Sequence, residues 1–87
     1  MESWWLKVSS VSKGMFPGEF TVVTSTSDGR EVSLFAPEEY VDSKNQRIRV
    51  GLLECAADAC LVYLPVSPVD FPSRTVKVAA REVFRVA

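Results

Sequence analysis

The chain has 87 residues, 47% of them hydrophobic and 24% charged, and a formal net charge of −1. That length allows one domain, residues 1–87, with a core just large enough to fold without staples, and the composition excludes a disordered or collagen-like class. No apolar run approaches the roughly 18 residues that span a bilayer, and Met1–Lys7 has Glu2 where a secretory leader carries positive charge, so a soluble cytoplasmic protein of bacterial type, without membrane attachment, is the expectation.

Strand signals dominate from the start. Trp4–Val11 alternates, with Leu6 and Val8 on one face and Trp5, Lys7 and Ser9 on the other. A loop follows over Ser12–Gly18, set by two glycines and Pro17. Glu19–Ser27 is rich in Thr and Val, a β-branched density that suits a pleated surface and disfavours helix. Asp28-Gly29 then predicts a two-residue type I′ turn, because glycine accepts positive φ and the turn matches the strands' twist. The return strand is Glu31–Ala36, with Val32, Leu34 and Ala36 on one face.

Pro37–Asp42 reads as one helical turn: proline suits the first helical position, and Glu38 and Glu39 favour the positive end of the helix dipole. A strand over Gln46–Cys55 puts Ile48, Val50 and Leu52 opposite Arg47, Arg49 and Gly51. Its alternation slips after Gly51, which predicts a bulge or bend there. Cys60–Leu64 is the next strand, and Pro65–Arg74 a proline-punctuated loop anchored by Val66, Val69 and Phe71. Thr75–Ala79 is a short strand, Ala80–Glu82 a 3₁₀ turn and Val83–Val86 a last strand.

Such short strands with frequent turns define an all-β class: a small SH3-like, partly open barrel of about five to seven strands, with an OB-like barrel as the alternative. The predicted core is Leu6, Val8, Phe20, Val22, Val32, Leu34, Ile48, Val50, Leu52, Val62, Leu64, Val76 and Val78.

Catalytic chemistry is poorly supplied. Without any histidine, the commonest general base and neutral metal ligand are missing. Glu38 and Glu39 are adjacent, so they diverge on a helical turn and form no acid–base pair. The expectation is no enzyme, no catalytic residue, no cofactor and no metal. Cys55 and Cys60, the only cysteines, have too few companions for a zinc site and the wrong spacing for a Cys-x-x-Cys redox pair. They flank a hairpin tip. A two-residue loop at Ala57-Asp58 would bring them close enough to bridge but would ask Ala57 for positive φ. A four-residue loop with two reduced thiols is therefore expected.

Binding surfaces remain. Trp4 and Trp5 lie on opposite faces of one strand, and Phe16 sits at a loop tip, so these three are the candidate partner-binding residues. Pro65-Val66-Ser67-Pro68 has the spacing of a polyproline ligand, but its apolar neighbours tie the loop down. Charge is uneven: residues 1–43 carry three Lys or Arg against seven Asp or Glu, and residues 44–87 carry seven against four. Arg47, Arg49, Arg74, Lys77, Arg81 and Arg85 are candidate anion-binding residues, with Phe84 and Tyr63 as stacking rings. The leading expectation is a non-enzymatic interaction or structural module that binds a protein partner or itself. The alternative is a nucleic-acid-associated barrel using the basic second half.

Overall fold

Alternation of apolar and polar residues yields nine strands in two antiparallel sheets in the computed structural model, which describes residues 3–86. They are β1 (Ser3–Lys7), β2 (Ser10–Lys13), β3 (Glu19–Ser25), β4 (Glu31–Pro37), β5 (Val41–Asp42), β6 (Arg47–Cys55), β7 (Ala59–Tyr63), β8 (Thr75–Ala79) and β9 (Val83–Val86). The larger sheet runs β8-β7-β6-β1-β9, with β5 also on β6, and the smaller runs β2-β3-β4. Two 3₁₀ turns, Glu38–Tyr40 and Ala80–Glu82, supply the helical content of the described residues. The all-β prediction holds, in an open form: the two sheets do not close into a barrel.

The predicted first strand is two. Val8 donates its N–H to the Gln46 carbonyl (3.0 Å) and Ser9 donates to Val23 (2.8 Å), so the chain steps from one sheet to the other between them. At the opposite side the Ser27 N–H donates to Lys77 (2.8 Å), tying the β3–β4 turn to β8. The hairpin at Asp28-Gly29 forms, but with a three-residue loop rather than the type I′ turn. Gly29 alone takes positive φ (+88°), its N–H donates to Thr26, and Thr26 donates to Arg30. Thr26 decides this: its hydroxyl bonds the Asp28 carboxylate and also accepts the Arg30 N–H, stabilising a wider loop with a glycine bulge.

The irregularity expected past Gly51 is present, with Leu53 as the extra residue: register shifts between Leu52 and Glu54. The helical turn at 37–42 shrinks to three residues because Pro37 still pairs with Glu19 as the end of β4, and Val41 and Asp42 are recruited onto β6. One hydrophobic cluster joins Leu6, Val22, Val32, Leu34, Ile48, Val62, Leu64, Val76 and Val78, all essentially inaccessible, while β2, β5 and β9 pack the partly buried Val11, Val41 and Val83 against it. Phe20 and Leu52 pack at its margin rather than inside, while Ala36, Ala59 and Cys60 are buried in addition to the predicted core.

The proline loop is held as its anchors implied. Val69 donates to the Ser33 carbonyl (2.8 Å), Pro68 is buried, and Val66 and Phe71 pack on the core. Val69 itself is the exception, with its side chain exposed.

Candidate binding face

Strand register decides which side chains share a face, because cross-strand partners point the same way. Trp4 pairs with Val50 and packs against the core, while Trp5 pairs with Arg49 on one side and Phe84 on the other, facing outward. Lys7 pairs with Arg47, Gly51 with Tyr63, and Leu61 with both Glu54 and Lys77. The outward face of the larger sheet thus gathers residues that are distant in the chain.

Two arginine–aromatic clusters stand on it. The Arg47 guanidinium lies 4.7 Å from the Trp5 ring centre and 5.5 Å from that of Phe84, and Arg49 lies 5.6 Å from Trp5. Such contacts contribute about 0.5–2 kcal/mol each and hold planar groups in layers. The Trp5 Nε1–H is buried without an acceptor. The second cluster surrounds Tyr63, with Arg74 at 4.4 Å over its ring. Arg74 is fixed there by donating to the carbonyls of Leu64 (3.1 and 3.2 Å) and Pro65 (2.7 Å).

Between the clusters lies a shallow groove of about 270 Å³, its walls including Tyr40, Arg49, Tyr63 and Arg74 and its floor Gly51. A Cβ at Gly51 would stand 3.4 Å from the Tyr63 Cβ, an ordinary contact. The groove therefore owes its depth to a missing side chain rather than to backbone strain.

Arg47 is partly committed. Its Nε donates to Asp42 Oδ2 at 2.8 Å, with both side chains about one-fifth exposed. Asn45 completes the arrangement by donating to both Asp42 oxygens (3.2 and 2.8 Å). The Asn45 amide first, and Arg47 after it, hold the Asp42 carboxyl below its usual range. Asp28 is lowered too, chiefly by the Thr26 hydroxyl.

The six predicted basic residues do not form one stripe. Arg47, Arg49, Arg74 and Lys77 belong to the outward face of the larger sheet. Arg81 lies on the second 3₁₀ turn, 83% exposed beside Glu82, and Arg85 shares the opposite face with Trp4, 6.0 Å from its ring. Phe16 stands apart at the β2–β3 loop tip, 65% exposed beside Met15. Tyr40 and Gly51 are the groove residues that sequence reasoning missed; a glycine at an outward position of an otherwise regular strand was the available signal.

The cysteines overturn an expectation. Cys55 and Cys60 form a disulfide across the β6–β7 hairpin, with Cα atoms 4.0 Å apart. Ala56 donates to the Ala59 carbonyl (2.8 Å), so the loop is the two-residue one and the cysteines are the close, non-hydrogen-bonded pair. Ala57 avoids positive φ, and the turn is anchored from outside: the Ala80 N–H donates to the Asp58 carbonyl (3.0 Å). Tertiary anchoring replaced the turn chemistry on which the four-residue expectation rested.

Among the described residues no group of three or more His, Cys, Asp or Glu could hold a metal ion, and no helix is long and apolar enough to cross a membrane. Comparison with protein-family models, with curated proteins and with solved structures finds no match.

Proposed function

We propose that this chain, an SH3-like half-open barrel, is a small non-enzymatic binding module that holds a polyanionic partner on the outward face of its larger sheet. One observation carries this reading: Lys7, Arg47, Arg49, Arg74 and Lys77 converge there with Trp5, Tyr63 and Phe84, with Asp42 and Glu54 among them and Glu82 and Asp28 at the margins beside Lys7 and Lys77. The whole chain is slightly acidic, so this is a local concentration of positive charge beside rings, as anion-tracking surfaces require. Titration of a fluorescein-labelled heparin fragment in 50 mM salt tests it. Binding that weakens at least tenfold by 200 mM salt, and falls in Arg49→Glu, is expected; no binding by the native chain refutes it.

A second reading has its own support. Met15 and Phe16 at one loop tip are 76% and 65% exposed, which favours a protein contact or self-association through that tip. Light scattering at two concentrations decides it: a strict monomer throughout removes self-association. The cytoplasm is the expected compartment. There, cellular reductants would open the Cys55–Cys60 bond, and the hairpin would rely on its own hydrogen bonds.

A further inference from the structure

We infer that the Gly51 groove is a nucleobase site, and that the polyanion of the preceding proposal, on which this rests, is a single-stranded nucleic acid. The groove is a shallow slot whose lining includes Tyr40 and Tyr63, with two guanidiniums beside it, Arg49 on the side of Trp5 and Arg74 over Tyr63. Its volume, about 270 Å³, falls just under the range of sites for drug-sized ligands, so it accommodates one ring system and not an extended cofactor. Tyrosine rings and guanidinium planes are the surfaces on which unstacked bases lie, and Arg49 supplies a phosphate partner next to them. Tyr63 is 42% exposed, as its outward position between the fully buried Val62 and Leu64 dictates, so part of the side chain is open to a ligand.

Ring spacing separates single strand from duplex. Trp5 and Tyr63 are two strands apart and offset by two residues, about 12 Å between their backbones. Bases stacked in a duplex repeat every ~3.4 Å along the strand and present no face, so they reach neither the slot nor both clusters. A single strand splays its bases and can enter the slot while its phosphates follow Lys7, Arg49 and Lys77 along the sheet. The glycine floor is the recognition element, because any side chain at position 51 would occupy the space of the base.

The test uses two fluorescein-labelled strands of equal phosphate number, a dodecathymidylate and an abasic dodecamer, in anisotropy titrations at 50 mM salt. The native chain is expected to prefer the base-bearing strand by about tenfold or more. Gly51→Val fills the slot at unchanged charge, and valine suits a strand position with ordinary φ. It is expected to abolish the preference while leaving binding of the abasic strand and the heparin fragment intact. Tyr63→Ala, checked for folding by circular dichroism, is a second route to the same loss. Equal affinity of the native chain for both strands overturns the nucleobase site and leaves the anionic face standing, as does a preference that survives Gly51→Val. Tight binding of a duplex dodecamer at the expense of the single strand also overturns it. Failure to bind either strand or heparin takes down the underlying function as well.

Discussion

Reducing the Cys55–Cys60 bond isolates the contribution of a single staple to a small β-fold. The bond closes a loop of about six residues, since the cysteines are five positions apart. In the chain-entropy account such a short loop constrains the unfolded state by about 2 kcal/mol at 25 °C. For a domain of this size that is roughly a 10 °C fall in Tm. The native hairpin keeps its other ties: Ala56 still donates to Ala59, Ala80 still donates to Asp58, and the Cys60 side chain stays buried in the core. Cys55 is an exposed residue, so a water-soluble phosphine is the reductant of choice for the folded protein. Thermal unfolding followed by circular dichroism, with and without the phosphine, measures the difference, and a mass gain of two hydrogens verifies reduction. An unchanged Tm in fully reduced protein refutes the entropic reasoning, and complete unfolding at 25 °C shows that the hairpin hydrogen bonds do not hold the tip alone.

Three further outcomes test the packing and the charges. Leu34→Ala, in the centre of the core, is expected to cost about 2–5 kcal/mol in urea unfolding, whereas Leu53→Ala at the exposed bulge stays within about 0.5 kcal/mol; similar values for the two contradict the assignment of faces. Gly29→Ala forces an L-residue to a φ of +88° and costs about 1–2 kcal/mol, but Gly14→Ala costs more, because its Cβ would fall 2.6 Å from the Glu19 carbonyl oxygen; the order of the two midpoints is the readout. Asp42 and Asp28 titrate below their ordinary value when folded, so the stability they contribute is complete above about pH 4 and is lost as pH falls through the depressed values. Asp42→Ala should flatten the acid limb of a Tm-against-pH curve; an unaltered limb excludes the Asn45–Arg47 arrangement as its source.

Local chemistry was legible where it acts over a few residues. Alternation in Glu19–Ser27 and Glu31–Ala36 identified both strands, to within two residues of their ends, and their buried faces, since Val22, Val32 and Leu34 need only the period of two to be placed inside. The Asp28-Gly29 turn was redirected locally, by the Thr26 hydroxyl, but the other errors fall where a distant group overrides the local preference. Ala57-Asp58 takes a two-residue loop because Ala80 binds the Asp58 carbonyl from another element. Pro37 stays in β4 because Glu19 pairs with it, and the first strand divides because Gln46 and Val23 claim successive amides at its middle. None of these partners is within ten residues of the group it redirects, so no window of sequence contains both.

The candidate site divides along the same line. Outward placement of Arg47, Arg49 and Gly51 follows from β6 alone, yet the aromatic half depends on which strands flank it, and β1 and β7 are neighbours of β6 through topology. Trp5 meets Arg49 across a sequence separation that loop-closure entropy opposes, and the pairing is driven from the other side of the sheet. Leu6, Ile48, Val50 and Val62 bury their side chains together, and the outward residues are carried into position with them. The core thus determines where the outward residues stand without determining what they are. Lysine, threonine or glutamate at those outward positions would satisfy the same strands at an exposed surface. Burial therefore does not account for three arginines, a tryptophan with an unpartnered Nε1–H and a bare glycine near two tyrosines on one exposed face. An unpaired buried donor costs about 1–3 kcal/mol that phenylalanine at position 5 would avoid. On the proposed reading, a ligand held on this face accounts for that composition.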